Sequence, residues 1–475
     1  MSSPTQADAA DDNRRTPKPF DPSTSSTRFI ALKLAYLGGA YNGFEHANNN
    51  VTPKPTVEEV LYKALRKTRL INPPVPSPSP SVGVGGGVDV DTGVEVVWGK
   101  EERLRRAFGQ VIALRVRNSV ALDSQNIPDK SNSSTSTSTS TPSANLPDWD
   151  PIASELPYVS LLNSILPPSI RILAWLPDPP PDFSARFSCQ QRRYKYFFTN
   201  PAFCPTPGPL GMTFAPSAAG RAGKGSGAPA PVREGWLDID RMREAAKKLI
   251  GSHDFRNLCK IDPSNQMSSC VRSILHADIE EWPTPGAAGS NPGAACMMGV
   301  LFLVGQGLEE PSVIDELLDI DKNPRRPLYE MAEDRGLVLW DCSFGHEIDQ
   351  HGWVYAGDRA SVTALTSKTD SKFGVGGVVE VVWKQWRAAK IDEVLTSSLL
   401  GLVLSQGDGT GLLRGGFRDP ATASRSQKIF DGGDSARIQG KYVAVMNKPK
   451  MATLEEQNEK YARSRKGRCR SAAGA

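Results

Sequence analysis

Apolar positions recur at helical spacing in two stretches of this chain. Val57, Val60, Leu61, Ala64 and Leu65 fall at i, i+3, i+4, i+7 and i+8, which predicts a helix with one apolar stripe. Thr56 is a suitable N-cap there, and Glu59 three residues later completes a capping-box pattern. Ile239, Met242, Ala246, Leu249 and Ile250 repeat the helical spacing, and Gly251 reads as the C-cap residue that ends it. Met297–Val304 is apolar on all sides, so this segment is expected at the centre of the fold. Gly336–Leu339 reads as a buried strand. Val378–Leu404 reads as a strand or helix start running into a long amphipathic helix. Strands alternating with helices in two similar halves, in both orders, argue for an α+β fold.

Between these patterned stretches lie segments that cannot build a core. Residues 1–27, rich in Ser, Thr, Asp and Pro, are expected to be disordered. Low-complexity inserts occupy 73–98 and 124–147, and 205–232 reads as a flexible linker. The organisation expected is therefore an N-terminal half over 28–200 and a C-terminal half over 233–345. An irregular, Pro- and Gly-rich insert interrupts the second half at 283–295, and a C-terminal extension follows over 346–475.

Composition narrows the function classes. A chain of 475 residues, 39% hydrophobic and 23% charged, can build two or three packed units. Its net charge of +4 is only mildly basic, so any nucleic-acid surface must come from local clustering. Seven cysteines, without a Cys-x-x-Cys pair, read as reduced thiols, and the five histidines do not join them at zinc spacing. The polar start MSSPTQADAADDNRR lacks a signal-peptide core, and no run reaches membrane-spanning length. A soluble intracellular protein with no membrane partner is the expectation.

The strongest local clustering is FSARFSCQQRRYKYFF, residues 183–198. In an extended strand Tyr194 and Tyr196 share one face while Arg193 and Lys195 share the other, with Arg192 and Arg186 close by. An aromatic platform beside cations suits stacking on an unpaired base while gripping phosphate. A half-buried antiparallel strand with a solvated basic face fits the same spacing.

This stretch resembles the signature of the TruA family of tRNA pseudouridine synthases, and further blocks match that family in order. Phe29–Glu45 looks like its opening strand and turn, Thr56–Ile71 like its first helix, and Ala107–Arg117 like the strand after its catalytic loop. Leu161–Trp175, Gly235–Asn265 and Val300–Pro324 complete the set, worded most like the eukaryotic branch that modifies positions 38 and 39 of the anticodon arm. The resemblance implies two ferredoxin-like halves sharing a mixed, mostly antiparallel sheet with a central cleft. It implies tRNA as partner, allows a homodimer, and suits a nuclear and cytoplasmic location. The implied reaction breaks the bond from uridine N1 to the sugar, rotates the base and rejoins it through C5, so neither cofactor nor metal is needed. The target base must leave its stack and be held by an aromatic ring. The resemblance puts Tyr194 at the family's active-site tyrosine and Leu337 against the target base. It makes Arg186, Arg192, Arg193 and Lys195 RNA contacts.

The family's central motif, Gly-Arg-Thr-Asp-x-Gly, is where the chain departs. Counting back from Ala107 without a gap, Glu102 takes the place of the nucleophilic Asp, Lys100 that of the Arg, which contacts RNA, and Leu104 that of the Gly. A Glu carries its carboxylate one methylene further out, a Lys lacks the bidentate fork, and a Leu resists positive φ. The same residues read equally well as a solvated surface stretch. Ala295 takes the position of an Arg that pairs with that Asp in the family. Both departures abut biased sequence and stop abruptly. Misplaced exon boundaries fit this better than gradual decay of an unused site. Either the chain is a pseudouridine synthase with a disrupted catalytic loop, or it is a non-catalytic tRNA-binding protein on the same fold.

Other motifs weigh less. Val82–Val88 imitates a dinucleotide loop but opens no helix. His253-Asp254 suits a turn with local hydrogen bonds better than acid–base work. Glu459–Arg470, with six Lys or Arg residues in twelve, fits a solvated tail, a phosphate-contacting arm or a nuclear import signal.

Overall fold

The computed structural model describes residues 25–45, 53–71, 106–121, 152, 155–204, 235–281, 287–290, 295–358, 371–406 and 427–464. Residues 73–98 and 124–147, and both Lys100 and Glu102, lie outside the described residues.

The sequence-predicted helices form along their apolar stripes, but the second has its C-cap at Lys248, and Gly251, read from the sequence as its C-cap, is instead the first residue of the next strand. Helix α1 (Val57–Lys67) starts at Thr56, whose hydroxyl accepts from the Glu59 N–H at 3.2 Å. Val57, Leu61, Ala64 and Leu65 bury its apolar stripe. Helix α2 (Tyr158–Ile165) packs on the same side of the fold. Helix α3 (Ile239–Lys247) is capped by Asp238, which accepts from Arg241 N–H. Its apolar stripe ends at Leu249, because Ile250 is 41% exposed where the chain turns into the next strand. Helix α4 (Ala295–Gly305) carries Met297–Val304, all buried, as expected of a segment apolar on every side. Helix α5 (Val313–Leu318) follows it.

An eight-stranded sheet carries these helices. Its strands are β1 (Ser25–Leu37), β2 (Arg106–Ala121), β3 (Ile170–Leu176), β4 (Gln191–Thr199), β7 (Ile279–Glu281), β8 (Ala287–Ser290), β9 (Leu337–Ser343) and β10 (Val354–Tyr355). A separate hairpin pairs β5 (Gly251–Asp254) with β6 (Val271–Ile274). The sheet order is β10-β3-β1-β2-β9-β4-β8-β7. Only β2 and β9 pair in parallel, with Ala107 opposite Leu339; the other neighbours are antiparallel. This is the mixed, mostly antiparallel α+β sheet, and the β2–β9 pair joins its two halves. One hydrophobic core gathers β1, β2, β3, α1 and α2, and a second gathers β4, α3, α4 and α5.

Four features differ from the sequence reading. Strand β4 sits inside 28–200, yet its sheet neighbours are β9 and β8 of the second half. Strand order follows backbone pairing rather than position along the chain. The insert 283–295 is not irregular throughout: Ala287–Ser290 pairs with Tyr196–Thr199 on one side and Ile279–Glu281 on the other. Two flanking strands offer N–H and C=O groups, and that tertiary demand overrides the weak strand preference of Ala, Gly and Ser. Residues beyond 345 are not an appendage either. Trp353 and Ala356 complete the first core, while Ile429, Phe430 and Val445 complete the second. The hairpin of β11 (Gln427–Ile429) and β12 (Arg437–Gln439) and helix α7 (Leu454–Arg463) belong to this part. Finally, helix α6 (Val378–Ser405) forms over the expected span, but its apolar residues fall on all sides, and Trp383, Trp386, Leu395 and Leu399 are exposed. Among the described residues, no helix is long and apolar enough to cross a membrane.

Candidate functional site

Strand β4 alternates as its sequence demands, and the alternation separates its two tyrosines by burial. Tyr196 is fully buried, with its ring edge-on to Phe302 and its hydroxyl donating to the Glu333 carbonyl at 2.5 Å. Burial pushes its phenol well above the ordinary tyrosine range. Tyr196 is thus a core residue, and the two-tyrosine platform reduces to Tyr194. Tyr194 is half-buried, faces Leu339 across the β4–β9 pair, and packs against both hydrophobic cores. It stands at the seam between the halves.

The opposite face of β4 is shaped by a bulge. Arg193 pairs with Asp341 and Tyr194 with Leu339, so Trp340 is an extra residue in β9. Its indole lies among Phe108 (5.4 Å), Phe197 (6.2 Å) and the Lys195 ammonium, 4.2 Å from the ring centroid. Gly109 allows the close approach of β2 here, since a Cβ on it would lie 2.7 Å from Asp341 Cα.

Among the described residues, β8 meets β4 at Tyr196–Thr199 and no further, so toward Gln191 the sheet edge opens onto a cavity of about 840 Å3. Residues 189–195 form one wall; Phe255, Lys260, Met267 and the β6 segment Arg272–Ile274 form the other. Met297 of α4 also reaches the lining. Among the described residues, Arg192, Arg193, Lys195, Lys260 and Arg272 line it together with one carboxylate, Glu280, so the cavity favours anions. Tyr194 contributes an aromatic side chain to a cation-rich wall.

The structure thus brings Arg192, Arg193, Tyr194 and Lys195 to one cavity. Leu337 is 7% exposed at the start of β9, opposite Tyr196, and is not on that lining. Arg186 is also off the lining: it is exposed, its guanidinium 5.3 Å from the Phe187 ring centroid. The Arg186 carbonyl accepts from Arg192 Nη2 at 3.3 Å. Arg106, the first described residue after the segment holding Lys100 and Glu102, reaches the Arg335 carbonyl beside the start of β9. Ala295 opens α4, two residues before the cavity-lining Met297. Lys260 and Arg272 were not legible in the sequence as site residues: each is an ordinary surface cation in its own segment, and only the docking of the β5–β6 hairpin puts it opposite β4. His253 and Asp254 lie in strand β5 rather than in a turn, drawn there by pairing with β6, and their side chains act locally: the imidazole bonds the Ile250 carbonyl at 3.0 Å, and the carboxylate holds Arg256 at 2.8 Å. Among the described residues, no cluster of His, Cys, Asp or Glu has metal-holding geometry.

Residues 245–345 match the family described as tRNA pseudouridine synthase. The human tRNA pseudouridine(38/39) synthase is 36% identical over 366 residues, 72% of this chain and 60% of that protein. The Saccharomyces cerevisiae protein of the same name is 30% identical over 459 residues, 95% of this chain and 81% of its own length. A tRNA pseudouridine synthase A from Methanosarcina mazei is 26% identical over 342 residues, 70% of this chain and 90% of its own length. The chain spans about 60% of the length of the human and bovine relatives it matches. With a family match over residues 245–345 and a yeast relative aligned along nearly the whole chain, this protein belongs to the TruA-type family of tRNA pseudouridine synthases.

Proposed function

We propose that the chain is a tRNA pseudouridine synthase scaffold that takes the anticodon arm of tRNA, with uridines 38 and 39 as targets. The observation that carries this reading is the cation-lined cavity with Tyr194 at the seam of the two halves. A uridine turned out of its stack would rest against the Tyr194 ring, while Arg192, Arg193, Lys260 and Arg272 would hold neighbouring phosphates. The names of the human and yeast relatives, both tRNA pseudouridine(38/39) synthases, support the choice of positions.

Isomerisation additionally needs a carboxylate beside the sugar, and the resemblance gives that position to Glu102. A second reading, binding without turnover, is favoured by Glu102, Lys100, Leu104 and Ala295 standing where the family carries Asp, Arg, Gly and Arg. An unmodified tRNA transcript incubated with the protein at low salt, then analysed by mass spectrometry, separates the two. Binding without detectable pseudouridine is expected. Pseudouridine at position 38 or 39 would make Glu102 a working carboxylate, and absence of tRNA binding would overturn both readings.

A nuclear and cytoplasmic location follows from the same reading, with the basic segment Glu459–Arg470 as import signal. Loss of nuclear signal on deleting that segment tests it. The homodimer allowed by the resemblance is tested by light scattering.

A further inference from the structure

The cation-lined cavity has a smaller neighbour. A second cavity of about 260 Å3 is lined by Lys260, Ile261, Arg326, Leu328, Tyr329, Glu330, Met331 and Met451, so Lys260 belongs to both. The chain builds it from two distant segments: Leu328 N–H donates to the Pro449 carbonyl at 2.8 Å, and Met451 N–H to the Arg326 carbonyl at 2.7 Å.

Its chemistry is mixed in a specific way. Arg326 is only 8% exposed and stacks 4.7 Å from the Tyr329 ring centroid. Two of its nitrogens donate to the carbonyls of Cys259 and Tyr329, but its buried Nε has no hydrogen-bond partner among the described residues. That Nε is itself closed off from solvent, but the guanidinium is held by neutral carbonyls, so its positive charge carries into the cavity it lines and favours an anion there. Beside it, Leu328 and Met331 are large apolar side chains left 53% and 38% exposed. A thioether and an isobutyl group pack adaptably on a flat ring. One carboxylate, Glu330, sits on the rim 3.6 Å from Arg437. Two cations and one carboxylate leave about one net positive charge, which matches a phosphodiester inside an RNA chain better than a doubly charged free monophosphate.

We propose that this second cavity is a nucleotide subsite, taking an unpaired nucleotide of the RNA whose target uridine occupies the first cavity. Lys260 and Arg326 face its phosphate, and Leu328, Met331 and Met451 pack on its base. The proposal rests on the reading of the first cavity as a tRNA site.

The test places a photoreactive benzophenone side chain at Leu328 in the full chain, and in a separate variant at Arg193, and irradiates each with an unmodified tRNA transcript. Cross-links from both positions, with the Leu328 cross-link on an unpaired nucleotide, are expected. A Leu328→Asp variant should bind the same transcript about tenfold more weakly, with free uridine 5′-monophosphate at millimolar concentration failing to compete. Cross-linking from position 193 but not from 328, or from 328 only to a base-paired stem, would overturn the subsite and leave the first reading standing. No cross-link from either position would remove both.

Discussion

The Lys195 ammonium stands 4.2 Å from the centroid of the Trp340 indole, on the bulge that interrupts the β4–β9 pair. The ring holds a cation that the strand pattern alone would leave free for phosphate. Arg193, two residues earlier and exposed, and Arg272 on the facing hairpin are more available to an anion.

Salt dependence should rank these cations. Arg193→Ala and Arg272→Ala are each expected to lower the slope of log binding constant against log salt by about 1. Arg186→Ala should leave it unchanged, since that side chain lies off the cavity lining. Filter-binding titrations across a salt series measure the three slopes, and an equal loss for Arg186→Ala would contradict the assignment.

Tyr194 offers a ring and Tyr196 a core hydroxyl, so their phenylalanine variants should part. Tyr194→Phe is expected to keep tRNA affinity, while Tyr194→Ala weakens it by about 1–3 kcal/mol. Tyr196→Phe should instead cost about 1–2 kcal/mol of stability by leaving the Glu333 carbonyl without its buried donor. Denaturant midpoints and binding isotherms on the same preparations distinguish the two roles.

Gly109 marks the closest approach of β2 to β9. Gly109→Ala would press a methyl against the Asp341 backbone, at a cost of about 1–3 kcal/mol. A denaturant midpoint equal to that of the parent protein would show that the junction can open without loss.

Alkaline pH should unfold the protein through its buried phenols. Burial raises the Tyr158 and Tyr196 hydroxyls above their ordinary range near 10, and both residues are at most 1% exposed. Because the folded pKa is the higher one, this stability is complete below about pH 10. It then falls by about 1.4 kcal/mol per group per pH unit as only the unfolded chain ionises. Unfolding followed by circular dichroism should therefore coincide with the part of the tyrosinate absorbance that belongs to these buried phenols. Tyrosinate forming fully before any loss of structure would refute it.

Restoring the carboxylate alone should not restore chemistry. Glu102→Asp is expected to yield no detectable pseudouridine, because Leu104 and Ala295 still stand where the family carries Gly and Arg. Mass spectrometry of the tRNA product decides, and turnover by that single variant would show those two positions to be dispensable.

The amino-acid order by itself determined the elements whose signals are local. Apolar spacing placed α1 and α3, the Thr56 cap fixed the start of α1, continuous apolarity placed α4 at the centre, and the run Arg192–Tyr196 marked the strand that lines the cavity. Periodicity can do this because it reports which face of an element must leave water. Only the tertiary structure decided that Tyr196 is core while Tyr194 is at the seam, that a bulge turns Trp340 under Lys195, and that Lys260 and Arg272 arrive opposite β4. It also decided that Ala287–Ser290 becomes a strand and that residues beyond 345 finish both cores. Those outcomes depend on pairing register and on contacts between segments far apart in sequence, where each side chain's role is set by its partner rather than by its neighbours along the chain.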